Sequence, residues 1–221
     1  MKAPILIVSF LVAILFVVSS VLSQSNPPVW VPTFTQTFQE TTKIFSSHHT
    51  NGTYYYDYAH SRQRIDRDNG AHDRYCGSVH SGDTPCTQLV INAKRYIIFP
   101  KIKSCCMCCT AEKGCGLLSP NWLQNATYVG EVEYGEFKVS KWDKKGLQNN
   151  YYYQLLSSKT PVPVAIDQQP NDLMEFNPLS FNTQPISDSL FELPSYCKDG
   201  SGGDNSCPFF SICTIANMKH N

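Results

Sequence analysis

Five of the ten cysteines in this 221-residue chain fall in one short stretch, SCCMCCTAEKGCG, as Cys105, Cys106, Cys108, Cys109 and Cys115. Sulfur at this density suits three chemistries: metal ligation, thiol–disulfide exchange, or structural cross-linking. The pairs Cys105-x-x-Cys108 and Cys106-x-x-Cys109 have CxxC spacing. However, no second CxxC or HxxxH follows at zinc-finger distance. A redox CxxC belongs at a helix start after a strand of a βαβ unit, and no such unit is legible. The other cysteines are Cys76, Cys86, Cys197, Cys207 and Cys213, which makes the total even, as complete pairing requires.

The compartment decides among these chemistries. The chain opens MKAPILIVSFLVAILFVVSSVLSQ: Lys2, an apolar run from Ile5 to Val18, then Val21-Leu22-Ser23 in the small-x-small pattern of a cleavage site. This predicts a signal peptide over residues 1–23, cut after Ser23. The apolar run is short for a membrane anchor, and no later run is long enough to span a bilayer. The expected location is extracellular, with an acidic, lysosome-like vesicle as the alternative. In an oxidising lumen cysteines pair with one another, so the stretch reads as a disulfide hub and not a metal site. If the segment is extended, Cys105 and Cys106 point to opposite faces while Cys106 and Cys108 share one. Neighbouring cysteines bond each other only under strain, so the hub should reach several distant partners. Ten cysteines allow about 945 pairings, and spacing does not choose among them.

Other reactive groupings are weaker. DRDNG at residues 66–70 invites a calcium reading, but its glycine comes one place early and Gly77 stands where an EF-hand needs glutamate. An Asn-Gly turn explains it better. A calcium site assembled from Asp57, Asp66, Asp68 and Asp73 is left open; otherwise no cofactor or metal is expected. His48-His49 reads as a solvated pair. No hydrolase, zinc-protease, phosphate-loop or dinucleotide motif occurs, and dense luminal cysteines are oxidised, so the chain is not expected to be an enzyme. Charge is balanced at 18 basic and 18 acidic residues with no basic stripe, which argues against nucleic-acid binding. Sequons at Asn51-Gly52-Thr53 and Asn125-Ala126-Thr127 predict glycosylation of Asn51 and Asn125 in an exported chain.

The elements that must position these groups read mainly as strands. Residues 33–45 alternate with Phe34, Phe38 and Ile44 on one face, followed by a turn with Asn51-Gly52 at its tip. YYYDYAH continues as a strand with Tyr54, Tyr56 and Tyr58 on one side. RQRIDR is a short polar strand before a second Asn-Gly turn at 69 and 70. QLVIN and KRYIIFP form a hairpin. TYVGEVEYGEFKVSKW alternates through Tyr128, Val132 and Tyr134, then shifts to Phe137 and Val139, with a bulge or tight turn at Gly135. YYYQLL and VPVAID follow. Only PNWLQNA and SDSLFEL look helical. The fold class is therefore mainly β: a strongly curved antiparallel sheet, or two stacked sheets, with one or two short helices. Residues 24–196 form one domain, and 197–221 a cysteine-bearing tail pinned to it by disulfides.

The order GTYYYDYAHSRQRIDR, Cys76, YIIFPKIKSCCMCC, GCGLLSPNWLQNATYVGEVEYG, SKWDKK, SLFELPSYC resembles the ependymin-related proteins, in a divergent, protist-like form, over about residues 30–197. The resemblance implies a secreted, disulfide-bonded glycoprotein. It implies a fold like bacterial lipoprotein carriers of the LolA type, with an apolar pocket for a lipid or other hydrophobic ligand. Some members of that family bind calcium and form dimers, so a homodimer is within the expectation. The hub and the tail from Cys197 to Cys213 depart from the animal pattern. An aromatic concave face makes an apolar pocket; Tyr128, Val132, Tyr134, Phe137 and Trp142 are the candidates for it, with Trp122 near the mouth. The alternative is a structural or adhesive extracellular protein whose interior is filled by its own side chains.

Overall fold

Segments rich in Tyr, Phe, Thr, Val and Ile with a two-residue period form strands, because branched and aromatic side chains pack well on a pleated surface. The computed structural model describes residues 26–42, 48–146, 149–197, 206–208 and 210–213. The expected signal peptide and most of the residues after Cys197 lie outside the described residues. Eleven strands pair into one curved, open antiparallel sheet: β1 Thr33–Thr42, β2 His48–Asp57, β3 Arg62–Arg67, β4 Cys86–Ile91, β5 Lys94–Phe99, β6 Ser104–Thr110, β7 Thr127–Tyr134, β8 Phe137–Lys145, β9 Asn149–Leu155, β10 Pro163–Gln168 and β11 Asp172–Phe176. Their order is β6-β5-β4-β3-β2-β1-β11-β10-β9-β8-β7. The sheet is two meanders joined where β1 pairs with β11.

The expected mainly β fold is observed, and with it the hairpin at Asn92-Ala93, whose two residues take positive φ. Several local readings are corrected. Asn51-Gly52 is not a turn tip; it lies inside β2, where Gly52 pairs with both Phe38 and Arg67. A Cβ at Gly52 would collide with the Asp66 carbonyl oxygen and the Phe38 ring, so close approach of strands, and not turning, requires glycine. PNWLQNA is a run of turns and not a helix. SDSLFEL holds only a short 3-10 turn, Asp188–Phe191. Tyr58 leaves the strand for a 3-10 turn and is exposed. The α-helix among the described residues is Arg74–Val79, here α1, capped by the Asp73 side chain, which accepts from the backbone N–H groups of Tyr75 and Cys76.

Curvature follows from what Trp30 touches. Its ring lies 6.4 Å from that of Tyr54 on β2 and 6.1 Å from that of Tyr152 on β9. Those strands are four spacings apart, about 19 Å along a flat sheet. Bending the sheet around Trp30 gathers Phe34, Phe38, Tyr54, Tyr56, Trp142 and Tyr152 on the inner face. The outer face carries Leu89, Tyr96 and Ile98 under residues 186–197, and Val139, Tyr153 and Ala165 on the other half.

β6 and β7 are consecutive in sequence but form opposite edges of the sheet. The chain between them, residues 111–126, therefore crosses the inner face as a strap. The Arg95 guanidinium donates to the Gly116 carbonyl at 3.2 Å, the Tyr56 hydroxyl to that of Leu118 at 2.8 Å, and the Trp30 backbone N–H to that of Pro120 at 2.9 Å. Leu123, fully buried, plugs the aromatic cluster.

All ten cysteines are paired, as Cys76–Cys86, Cys105–Cys197, Cys106–Cys207, Cys108–Cys213 and Cys109–Cys115. The hub works as its extended geometry requires. Cys105 packs with the outer-face cluster, while Cys106 and Cys108 pack with Ile97 and Phe99 on the inner face. Three of its bridges reach 92, 101 and 105 residues along the chain.

Candidate functional site

Strand register puts Glu40, Tyr54, Gln63, Ile65, Arg67, Gln88 and Arg95 on the same inner face as Ile166 and Met174. The strap passes above them. Between the two lies a cavity of about 400 Å³, walled by these side chains, by Gly114, Gly116, Leu117 and Leu118 of the strap, and by Arg74, Tyr75 and Asp172 at its rim. Cys109–Cys115 ties the roof to β6 at one end. Leu123 and Trp122 anchor it in the aromatic cluster at the other.

The lining is mixed. Ile65, Leu117, Leu118, Ile166 and Met174 supply apolar surface. Against them stands a buried charge network. Arg67 Nε donates to Glu40 Oε2 at 2.6 Å, and its Nη2 lies 3.3 Å from Asp73 Oδ2. Asp73 also caps α1 and accepts from Gln88 Nε2 at 2.9 Å. Arg74 Nε sits 3.3 Å from Asp172 Oδ2. Burial pushes the Glu40 carboxyl above its usual range; the Arg67 guanidinium opposes this only in part, and the negative charges of Asp73 and Asp172 add to the rise. Burial raises Asp172 likewise, against the pull of Arg74. Burial disfavours the charge on Arg67 too, but there Asp73 and Glu40 prevail and hold it above its ordinary value. Three buried polar atoms of lining residues have no hydrogen-bond partner among the described residues: Arg67 Nη1, Arg95 Nε and Asp172 Oδ1.

None of the six residues expected to line a pocket faces this cavity. Trp122, Tyr128 and Trp142 join the inner aromatic cluster, with the Tyr128 and Trp142 rings 5.2 Å apart. Val132, Tyr134 and Phe137 lie with the outer cluster around Val139. The division has a local cause. A register shift between Tyr128 and Gly130 inserts Val129 and reverses which parity faces in, so the bulge precedes Gly135. Gly135, at φ +58°, instead opens the two-residue turn between Tyr134 and Phe137. Arg67 and Arg95 are invisible to a pattern reading because charged strand residues are ordinarily assigned to the wet face. Their signal is parity: Gln63, Ile65 and Arg67 alternate with Arg62, Arg64 and Asp66, and only pairing shows which set turns inward.

The four carboxylates considered for calcium do not converge. Asp57 is held by Arg62 at 2.7 Å, Asp66 by Arg64 at 2.9 Å, Asp73 caps α1, and Asp68 is exposed. Among the described residues the one group of three metal-ligating atoms in close range is Cys108, Cys109 and Cys115, whose sulfurs are committed to disulfides. His48 and His72 stack with ring centroids 4.6 Å apart. Asn51 and Asn125 are exposed. No described helix is long and apolar enough to cross a membrane.

Residues 90–197 match a domain of unknown function (DUF8395). No curated protein matches the chain. Among solved structures, an uncharacterized conserved protein from Thermus thermophilus is similar at 11% identity and a TM-score of 0.48, over 74% of this chain and 86% of that one. A LolA superfamily protein from Nitrosomonas europaea is similar at 4% identity and a TM-score of 0.34, over 75% and 93%. A DUF1329 family protein from Desulfovibrio piger is similar at 8% identity and a TM-score of 0.34, over 72% and 89%.

Proposed function

We infer that this chain is an exported binding protein that holds a small molecule with a substantial apolar part between the inner face of its sheet and the strap. The observation that carries the reading is the cavity of about 400 Å³, roofed by Leu117 and Leu118 and floored by Ile65, Ile166 and Met174. That volume is in the range of pre-formed small-molecule sites, which combine apolar walls with a few fixed polar groups. Complete cysteine pairing fits an oxidising destination, outside the cell or in an acidic vesicle. Exposed sequons at Asn51 and Asn125 fit a glycoprotein of the same route. The order of motifs that resembles the ependymin-related proteins agrees with a carrier of this kind. No catalytic role is assigned, because the cavity's acidic groups are already engaged by arginines.

A structural protein without a ligand is the competing reading. It draws on the aromatic cluster, where Trp30 meets five other rings and leaves that part of the inner face filled. Purification of the full chain from its native host, followed by native mass spectrometry and solvent extraction, separates the two. The expected result is one lipid-like molecule per chain, replaced by N-phenyl-1-naphthylamine with a rise in its fluorescence. A chain that carries nothing and takes up no probe is the structural protein.

A further inference from the structure

The carrier reading leaves the charged part of the cavity unexplained. An apolar ligand needs no guanidinium. A buried donor without an acceptor costs free energy, so each one calls for an account. Arg67 has one: two of its nitrogens serve Glu40 and Asp73, and Nη1 is left over. Arg95 does not. No carboxylate forms an ion pair with it among the described residues. Its contacts are the Gly116 carbonyl at 3.2 Å and the face of Tyr75, 5.3 Å from the ring centroid, and its Nε is buried and empty. Both arginines belong to the lining of the same cavity.

Charge strengthens the case. The three arginines on the lining face three carboxylates, but the carboxylates cluster around Arg67 and Arg74. Two of them, Glu40 and Asp172, are also shifted toward the neutral form. The Arg95 end is left with an unmatched positive charge on a planar fork that suits carboxylate or phosphate oxygens.

We propose that the cavity recognises its ligand by an anionic head: a carboxylate or phosphate seated at the Arg95 guanidinium, with the attached apolar chain lying against Leu118, Ile166 and Met174. This deepens the carrier reading and rests on it. The ligand class is a single-chain anionic amphiphile.

The test is isothermal titration calorimetry on the full oxidised chain with dodecanoate, dodecyl phosphate, dodecanol, acetate and inorganic phosphate. The charged amphiphiles should bind about tenfold or more tightly than dodecanol, the size of effect that charge-assisted hydrogen bonds give. Arg95→Gln should bring dodecanoate to within about twofold of dodecanol measured on the same variant; the ratio isolates the head group, because the lost Gly116 contact of the strap weakens both ligands alike. Dodecanol binding as tightly as dodecanoate to the unmodified chain overturns the head-group assignment while the apolar cavity stands. Acetate or inorganic phosphate binding as tightly as the amphiphiles overturns it too, as a small-anion site. Failure of every amphiphile to bind overturns this proposal and the carrier reading together. Should Arg95→Gln not fold by circular dichroism, Arg95→Lys keeps the charge without the fork. Its discrimination should then fall about threefold or more, and unchanged discrimination overturns the proposal.

Discussion

Glu40 and Asp57 show how the same residue class responds in opposite directions to its surroundings. Asp57 is gripped by His60 and Arg62; burial opposes its charge, but those hydrogen bonds win and lower its pKa. It adds stability above the unfolded carboxylate range that is lost as pH falls. Glu40 is raised, chiefly by burial. The folded state therefore binds its proton more readily than the unfolded chain does. Its contribution is complete below the unfolded value, about 4.3, and is lost as pH rises through the folded value. Glu40→Gln keeps an acceptor for Arg67 and removes this titration. Thermal unfolding from mildly acid to neutral pH should show the variant gaining on the parent as pH rises. A gap that widens the other way would mean that the attraction of Arg67 outweighs burial and lowers the Glu40 pKa.

The strap is the element on which the site depends, and the cysteine hub explains how it is held. Cys109–Cys115 closes a loop of only a few residues, so its removal should cost about 2 kcal/mol on a chain-entropy estimate. The functional consequence should be larger than the global one, because the bridge fixes the roof beside Leu117 and Leu118. In Cys109→Ser/Cys115→Ser, amide exchange should rise across 111–118 while β1 and β2 keep their protection, and probe uptake should weaken. Equal exchange in both proteins would show that Leu123 and Trp122 hold the strap unaided. Much at this scale was legible. The strands follow from alternation, and the opposed directions of Cys105 and Cys106 follow from the pleat. Other features were not. Asn51-Gly52 carries a turn signal because glycine permits turns, yet in β2 it permits the Phe38 ring to pack over the strand. One inserted residue, Val129, reversed the faces of Val132 and Tyr134, and nothing in the type of Val129 marks it as a bulge. The helix Arg74–Val79 is six residues long, too short to show a period. The cavity was hidden for a related reason: it is made by a crossover between opposite sheet edges, and strand order is not written in local pattern.

At the scale of the whole molecule, the two faces of the sheet do different jobs and are secured separately. The inner face holds the cavity and the aromatic cluster. The outer face of the β2–β6 half is covered by residues 186–197, with Phe191 buried and Cys197 bonded to Cys105. That bridge closes a span of 92 residues, so Cys105→Ser/Cys197→Ser should cost about 2–5 kcal/mol. It should also release the cover from Leu89, Tyr96 and Ile98, raising the binding of a dye such as anilinonaphthalene sulfonate. The affinity for dodecanoate should nonetheless stay near that of the parent at temperatures where both are folded, because the roof is fastened by Cys109–Cys115 and Leu123 on the opposite side. Loss of ligand affinity in step with loss of the cover would place the curvature that shapes the cavity under the control of the outer layer. Retained affinity with a lower unfolding midpoint would show that one face of the sheet can loosen without disturbing the cavity on the other.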